Sequence, residues 1–186
     1  MPRLFTGIEI PEPLARELAL IRGGLSGARW VEPENFHITL RFLGDIDQGV
    51  AREAYLELWR VRREPVQITL GELSFFGGER PRSLIIKVQP SDDLMELQAE
   101  HERIMRRIGL APETRKFTPH ITLARLRGTS SLAMAEYLSL RGLPPRGQYL
   151  AERFVVYSSR ASIGGGPYVV EADYPLGAQE RESAAG

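Results

Sequence analysis

The chain of 186 residues is predicted to fold as one α+β domain built from antiparallel sheets. Two observations predict this class: pairs of strand-like segments lie close enough in sequence to form hairpins, and segments with helical periodicity separate them. In addition, no linker rich in Pro, Gly or Ser divides the chain. We therefore expect a single two-lobed domain over residues 1–176, followed by a polar tail over residues 177–186 that is predicted to be disordered.

The first half of the chain is predicted to contain two helices and five strands. Prolines in the stretch 11–13 suit a first helical turn, and Gly23 and Gly24 end that helix. Asp45 and Asp47 precede the second helix and are interpreted as caps. The strands are predicted at residues 4–10, 29–31, 36–43, 66–73 and 83–88, and the helices at residues 14–25 and about 49–63.

The second half of the chain is predicted to contain two further helices and three strands. Ser91, followed by acidic residues, is typical of a helix start, and Pro119 precedes a strand that begins with a histidine. The helices are predicted at residues 91–109 and about 132–140, and the strands at residues 120–125, about 149–158 and 168–174.

Composition and charge narrow the possible functions. The chain has 24 basic and 24 acidic residues, so it lacks the basic excess of proteins that follow a long polynucleotide. This balance still permits recognition of one nucleic-acid end or of a small nucleotide. Cysteine is absent, which excludes thiol catalysis and thiolate metal sites. Without a signal-peptide pattern or a long apolar run, we expect a soluble, cytoplasmic monomer that does not bind membranes.

One internal repeat stands out. The tetrapeptide His-Ile-Thr-Leu occurs at residues 37–40 and again at residues 120–123, and the chain has three histidines in total. Given ordinary residue frequencies, the chance that three residues after a histidine match by accident is on the order of one in several thousand. The repeat therefore favours a function over two buried histidines in a duplicated hairpin.

Strand geometry explains what such a repeat can do. Alternate side chains of a strand share a face, so His37 and Thr39 point one way while the two aliphatic residues point into the core. His120 and Thr122 repeat this arrangement. If the two strands face one cleft, they form a site with two imidazoles and two hydroxyls.

This set of groups suits the opening of a cyclic phosphodiester. A base must deprotonate water and an acid must protonate the departing ribose oxygen, and two histidines can do both near neutral pH. Hydroxyls and an arginine can donate hydrogen bonds to the phosphate oxygens. Because the five-membered ring is strained, no metal and no other cofactor is required.

The two motifs and their flanks resemble the two-histidine phosphoesterase superfamily. The nearest likeness is to its RNA 2′,3′-cyclic phosphodiesterase branch, historically called 2′–5′ RNA ligases. The likeness covers nearly the whole chain. It is carried by residues 3–5, 29–31, 35–44, 81–82, 117–125, 166–168 and 174–176.

The resemblance implies more than the residues alone establish. It implies a bilobal fold with helices on the outer faces and the motifs facing each other across a central cleft. It implies hydrolysis of RNA 2′,3′-cyclic phosphate ends to 2′-phosphates without a cofactor, and reversible 2′–5′ ligation by the same groups. It also implies that His37 protonates the leaving O3′, that His120 activates water and that Arg125 contacts the phosphate.

Strand parity makes the choice of arginine difficult. In an ideal strand Arg125 has the opposite parity to His120 and should face away from it. A bulge near Ala124 would let Arg125 reach the site. Arg41 has the same parity as His37 and is the better candidate on geometry alone, so both arginines are kept as phosphate-binding candidates.

Three other features have both a functional and an ordinary structural interpretation. Tyr168 is a candidate for stacking on a base, with strand packing as the alternative. His101 lies among charged residues of a predicted helix, and we expect it on a solvated face. A metal site is not expected, because the chain has no cysteine and few histidines.

Two alternative functions remain open at this stage. The first is a phosphodiesterase for small cyclic nucleotides or 2′–5′ linked oligonucleotides, which suits the neutral charge equally well. The second is a non-catalytic module that binds RNA ends. The intact histidines of both motifs argue against the second, because binding alone does not require a titrating pair.

Overall fold

The computed structural model describes residues 3–141, 146–159 and 166–177. The predicted α+β class is confirmed: four helices accompany one large antiparallel sheet within the described ranges. The strands are β1 Arg3–Glu9, β2 Ala28–Trp30, β3 His37–Asp45, β4 Val66–Phe76, β5 Ser83–Val88, β6 His120–Leu126, β7 Gln148–Ala151, β8 Arg153–Ser159 and β9 Tyr168–Pro175. The helices are α1 Glu12–Ala19, α2 Gln48–Leu58, α3 Asp92–Arg107 and α4 Ser131–Leu140, and a 3-10 turn spans Pro33–Asn35.

The nine-stranded sheet consists of two halves, one of five strands and one of four, that meet at a narrow junction. The strand order is β7-β4-β5-β6-β3-β1-β8-β9, with β2 pairing on β6 as well. Between β6 and β3, the pair Ile38 and Ile121 defines the register. Each half therefore has its own hydrogen-bonded ladder, and the two motif strands are the strands that join them.

The core lies between the sheet and the helices. Ile38 and Ile121, the paired isoleucines of the two motifs, are both fully buried. Helix α3 packs on β3 of one half-sheet and on β4 of the other, so it lies across the junction. Its start is capped as predicted, because the Ser91 hydroxyl accepts a hydrogen bond from the backbone N–H of Leu94 at 3.3 Å. The cap at α2 is supplied by Asp47, which accepts from the N–H of Val50 at 2.9 Å.

Some predicted boundaries are wrong. Helix α1 ends at Ala19 and not near residue 25, because the next turn tightens into 3-10 hydrogen bonds such as Ile21 N–H to Leu18 O at 3.2 Å. The apolar residues beyond it still face the core, which explains the misleading periodicity. The strand predicted at 149–158 is broken at Glu152 into β7 and β8, which belong to different half-sheets.

His101 is buried, and the expectation of a solvated face is wrong. Its side chain has no exposed area, and its Nδ1 lies 2.9 Å from the hydroxyl of Thr6 on β1. Helical spacing explains this position, because His101 falls in the same stripe as Leu97 and Ile104. Burial, and secondly the positive charge of Arg63, lower the pKa of His101 to about 3.

Two further expectations concern the C-terminal tail and membrane-spanning helices. Of the tail predicted at residues 177–186, residues 178–186 lie outside the described residues, while the backbone N–H of Gly177 donates to the carbonyl oxygen of Arg63 at 2.8 Å. Within residues 3–141, 146–159 and 166–177, no helix combines the length and the apolar character that crossing a bilayer requires.

Candidate active site

The structure brings the two histidine motifs together at the junction of the half-sheets. Because Ile38 and Ile121 are paired and point into the core, the residues on either side of each isoleucine point to the opposite face. His37 and Thr39 of β3 therefore share this face with the histidine and threonine of β6. We call this face the cleft face. The arrangement provides the two imidazoles and two hydroxyls that the repeat predicts.

The imidazole of His37 is held in one tautomer and orientation. Its Nδ1 lies 2.8 Å from the carbonyl oxygen of Asn35, which can only accept, so Nδ1 carries a proton. In the neutral ring Nε2 is then an acceptor, and the Thr39 hydroxyl at 2.9 Å donates to it. The motif threonine thus contacts the nitrogen that is available for proton transfer.

The second motif orients its histidine in the same way. His120 Nδ1 lies 2.7 Å from the carbonyl oxygen of Thr118, again two residues before the histidine. Nε2 is therefore the nitrogen of His120 that can take up a proton. Both imidazoles present equivalent atoms, as expected for two copies of one local structure.

A bulge at the repeated leucine decides which arginine faces the site. Thr122 and Ala124 are paired with the consecutive residues Ile85 and Leu84 of β5, so Leu123 is an extra residue on β6. The parity of β6 changes there, and Arg125 projects on the cleft face. Strand parity required a bulge near Ala124 for Arg125 to reach the site, and the structure has one at Leu123.

The first motif contains the same bulge, and the geometric argument for Arg41 is therefore wrong. Thr39 and Arg41 are paired with consecutive residues of β1, which makes Leu40 the extra residue. The Arg41 side chain is 7% exposed, forms an ion pair with Glu102 of α3, and donates to the carbonyl oxygen of Ala111 at 2.6 Å. Arg41 thus holds α3 and the segment after it against β3, on the face opposite the cleft.

Phe42 takes the position in β3 that Arg125 takes in β6. It is half exposed, and its ring centroid lies 5.5 Å from that of Phe5 on β1. The two repeats therefore share backbone geometry but differ at this position: one supplies an aromatic ring and the other a guanidinium group. The site is asymmetric in charge, although it is built from a symmetric scaffold.

The electrostatics show that the histidines and Arg125 are close to one another. Burial lowers the pKa of His37 to about 4; the bond to the Asn35 carbonyl opposes this, while the charges of Arg125 and His120 add to it. Burial also lowers the pKa of His120, opposed by its own carbonyl bond and assisted by the charge of Arg125. Both imidazoles are therefore neutral near pH 7 when no anion is bound.

An aromatic wall surrounds His37. The ring centroids of Phe5 and Tyr168 lie 5.0 Å from that of the His37 ring, and that of Tyr157 lies 5.4 Å away. Gly7 permits the close approach of β3 and of this wall, because a Cβ there would lie 2.8 Å from the carbonyl oxygen of Ile38 and 3.2 Å from the Tyr157 ring. The wall contributes to the burial of His37, and burial is the largest cause of its lowered pKa.

Tyr168 could be identified from the sequence, whereas the rest of the wall could not. The half-buried ring of Tyr168 meets those of His37 and Phe5 edge-on, and its backbone N–H donates to Asn35 Oδ1 at 3.2 Å. Phe76 of β4 packs edge-on against His120 at 4.7 Å. Aromatic residues in strands normally indicate core, so no sequence signal distinguished these rings from packing residues.

Among the described residues, no three His, Cys, Asp or Glu side chains lie close enough together to hold a metal ion. The polar groups assembled on the cleft face include two imidazoles, two hydroxyls and the guanidinium group of Arg125. Such a set is suited to an anion with several acceptor oxygens.

Comparison with known sequences places these features in a family. The sequence model described as LigT-like phosphoesterase matches residues 8–86 and again residues 84–168. The two matches contain one His-Ile-Thr-Leu motif each, in agreement with the internal repeat.

Several curated relatives are named RNA 2′,3′-cyclic phosphodiesterase. The protein of Aquifex aeolicus is 30% identical over 174 residues, covering 91% of this chain and 90% of the relative. That of Thermotoga maritima is 31% identical over 176 residues, covering 90% and 92%. That of Aeropyrum pernix is 41% identical over a shorter stretch of 104 residues, covering 55% and 59%.

Solved structures support the same fold. E. coli LigT complexed with 3′-AMP is 26% identical and superposes with a TM-score of 0.77, covering 95% of this chain and 99% of that protein. A protein of Thermus thermophilus superposes with a TM-score of 0.78 at 22% identity, covering 94% and 97%.

Proposed function

The chain belongs to the LigT-like phosphoesterase family, and on this premise we propose that it hydrolyses 2′,3′-cyclic phosphate ends of RNA to 2′-phosphates. The relatives that share most of its length are named RNA 2′,3′-cyclic phosphodiesterase. The single observation that carries the proposal is that His37, His120 and Arg125 converge on one face at the junction of the half-sheets.

His120 acts as the general base in this proposal. Its Nδ1–H donates to the carbonyl oxygen of Thr118, so Nε2 is the nitrogen that takes a proton from a water molecule. The resulting hydroxide attacks phosphorus, and a new P–O bond forms. Near neutral pH the lowered pKa of His120 keeps this nitrogen unprotonated and ready to accept.

His37 acts as the general acid. Its Nε2–H protonates O3′ as the P–O3′ bond breaks, which leaves a free 3′-hydroxyl and a 2′-phosphate. One proton has moved from water to His120 and another from His37 to the ribose, and exchange with solvent restores both. The roles follow from the family resemblance, since the two imidazoles present equivalent atoms.

The substrate itself adjusts the protonation of His37. A pKa near 4 leaves little imidazolium in the free protein at neutral pH. A phosphodiester anion placed between the imidazoles favours their charged forms and raises both pKa values. Binding therefore charges the acid, and the neutral free site avoids repulsion between two imidazolium groups and Arg125.

The remaining polar groups stabilise charge on the phosphate. Arg125 supplies a guanidinium fork to the non-bridging oxygens, which gain negative charge in the transition state. Thr122 supplies a hydroxyl donor, and Thr39 can supply another once His37 Nε2 is protonated and no longer accepts its hydroxyl proton. Tyr168, at the rim of the aromatic wall, offers a ring edge and face for the terminal base.

A direct test uses an oligonucleotide that ends in a 2′,3′-cyclic phosphate, incubated with the protein in EDTA. We expect conversion to a 2′-phosphate with a free 3′-hydroxyl, identified by resistance to an enzyme that removes only 3′-phosphates. His37→Ala and His120→Ala should each lower kcat by about 10²–10⁴-fold. The double variant should be little worse than either single one, because the pair acts as a unit.

His101→Gln is the matched control, since it removes the third histidine of the chain from a buried position outside the site. It should keep kcat close to that of the wild type below its melting temperature. If the wild type leaves the cyclic end intact while still binding it, the chain is an RNA-end binding module and the proposal fails. Formation of a 3′-phosphate would contradict the assignment of O3′ as the leaving group.

A further inference from the structure

A second arginine lies beside Arg125 on the cleft face. Strand β2 is antiparallel to β6, and its register pairs Arg29 with Arg125 and Trp30 with Ala124. Residues directly opposite each other in an antiparallel pair project on the same face, with Cβ atoms about 5 Å apart. Arg29 therefore projects on the same face as Arg125.

The packing of the neighbouring tryptophan supports this orientation. Trp30 packs on the main hydrophobic core, and its ring centroid lies 6.4 Å from that of Tyr137 on α4. Because successive side chains of a strand alternate, Arg29 must project on the opposite side, where it is exposed. Two cations thus lie side by side at one end of the cleft.

A guanidinium group carries a fixed positive charge, which suits a phosphate anion. The planar fork of arginine also matches the geometry of phosphate oxygens, which it binds through two parallel hydrogen bonds. Arg29 and Arg125 are therefore each suited to contact a phosphate, and their pairing places these contacts side by side.

The position of Arg125 along β6 indicates which phosphate Arg29, its neighbour on β2, can contact. His120 and Arg125 are five residues apart, so their Cα atoms are separated by roughly 15 Å, a distance that the long side chain of Arg125 shortens by reaching back. Arg29 extends from the neighbouring strand at the far end of this stretch. It is therefore placed for a phosphate adjacent to the one that is opened.

In an RNA end, that adjacent phosphate is the one on the 5′ side of the terminal nucleoside. We propose that Arg29 binds this 5′ phosphate and makes the protein selective for oligonucleotide ends over nucleoside 2′,3′-cyclic phosphates. The inference rests on the proposed function and names the substrate class of the same site. A single added contact also agrees with the zero net charge of the chain, which does not support a long basic track.

The test compares three substrates: a nucleoside 2′,3′-cyclic phosphate, the same compound with a 5′-phosphate, and a dinucleotide that ends in a cyclic phosphate. For the wild type, the 5′ phosphate should raise kcat/KM by about tenfold, the usual value of one charged hydrogen-bonded contact. In Arg29→Gln this ratio should fall to about one, and in Arg29→Lys it should lie between the two. Added salt should reduce the ratio in the wild type and not in Arg29→Gln.

Arg52→Gln is the control, because Arg52 is an exposed arginine of α2 on the outer side of the fold and its loss changes net charge equally. It should keep the wild-type ratio. A wild type indifferent to the 5′ phosphate, or an Arg29→Gln variant that keeps the tenfold ratio, would overturn the inference.

Binding measurements separate this inference from the proposed function. Should the wild type open none of the three substrates, the proposed function fails. The affinity of a nucleoside 2′-phosphate, with and without a 5′-phosphate, then tests Arg29 alone. A 5′-phosphate that improves binding in the wild type and not in Arg29→Gln supports the assignment, and equal affinities in the wild type contradict it.

Discussion

Arg41 and Arg125 show how one bulged residue determines the role of a side chain. Arg125 faces the imidazoles, so Arg125→Gln should lower kcat/KM by about 10²-fold, the typical cost of removing one group that stabilises developing charge. The free energy of unfolding should change by less than about 1 kcal/mol, because the group is exposed. Steady-state kinetics and urea unfolding of one preparation measure both quantities.

Arg41 should show the opposite behaviour. Arg41→Gln leaves Glu102 of α3 partly buried without its cation, which costs about 3–5 kcal/mol of unfolding free energy. The kcat per folded molecule should remain within a few-fold of the wild type. A large loss of kcat without loss of stability would return Arg41 to the candidate site and contradict the bulge at Leu40.

The pH dependence of kcat/KM should reflect the two depressed pKa values. One imidazole must be protonated and the other neutral, so activity should be bell-shaped, with its maximum between the pKa of His37, about 4, and the lowered pKa of His120. The maximum should thus lie below pH 6.5. Because a bound anion raises both pKa values, the profile of kcat should be displaced to higher pH.

Variants of Arg125 test one cause of the two lowered pKa values. The positive charge of Arg125 disfavours both imidazolium forms, so Arg125→Gln should raise both pKa values and move the kcat/KM maximum to higher pH. Arg125→Lys keeps the charge and should keep the position of the maximum while losing rate. Identical profiles for the two variants would show that Arg125 does not act through its charge.

At the scale of single residues, the sequence predicted that the two imidazoles and the two hydroxyls share one face. It did not predict which arginine lies on that face. The alternation of His37, Ile38 and Thr39 is the ordinary strand period, so their faces could be derived from spacing alone. The bulges at Leu40 and Leu123 could not, because leucine at a bulge carries no signal comparable to glycine or proline. Both arginines were therefore assigned to the wrong side by parity.

Among the elements, α3 is joined to β1 by the hydrogen bond between His101 and Thr6. The pKa of His101 is 6.5 in the unfolded chain and about 3 in the fold. Between these values the unfolded state binds a proton that the native state does not. Its contribution to stability is therefore complete above pH 6.5 and is lost as pH falls toward 3, by about 1.4 kcal/mol per pH unit.

Replacement of His101 should flatten this dependence. In His101→Gln, the slope of unfolding free energy against pH between pH 6 and 4.5 should be smaller than in the wild type by about 1.4 kcal/mol per pH unit. Urea unfolding at several pH values measures it, and the low pKa of His37 contributes equally to both proteins. Parallel slopes for variant and wild type would mean that His101 takes up its proton in the native state.

Element types were largely predictable from the sequence, whereas element ends were not. Strand β5 begins and ends as predicted at Ser83 and Val88 because alternation and flanking turns agree there. Helix α1 ends early because tertiary packing keeps Ile21 in the core in a 3-10 turn. The break at Glu152 depends on which half-sheet each strand joins, a non-local property that no window of sequence contains.

For the whole molecule, the candidate site coincides with the weakest connection of the sheet. The half-sheets share the register pair Ile38 and Ile121, while α3 lies across the junction behind them. The sequence predicted antiparallel pairs but not this strand order, because the two motif strands are far apart in the chain. An anion held by both motifs should therefore link the halves and stabilise the complete fold.

Inorganic phosphate provides a test of that linkage. An anion that binds only the native state at 100 times its Kd adds about 2.7 kcal/mol, which corresponds to roughly 5–10 °C in Tm for a chain of this size. We expect this shift in the wild type and in Arg52→Gln, measured against sodium chloride at equal ionic strength. His37→Ala/His120→Ala should lose most of it, since neither half-sheet then presents an imidazole to the anion. If the double variant is stabilised as strongly as the wild type, phosphate binds elsewhere and the two motifs do not hold a common anion.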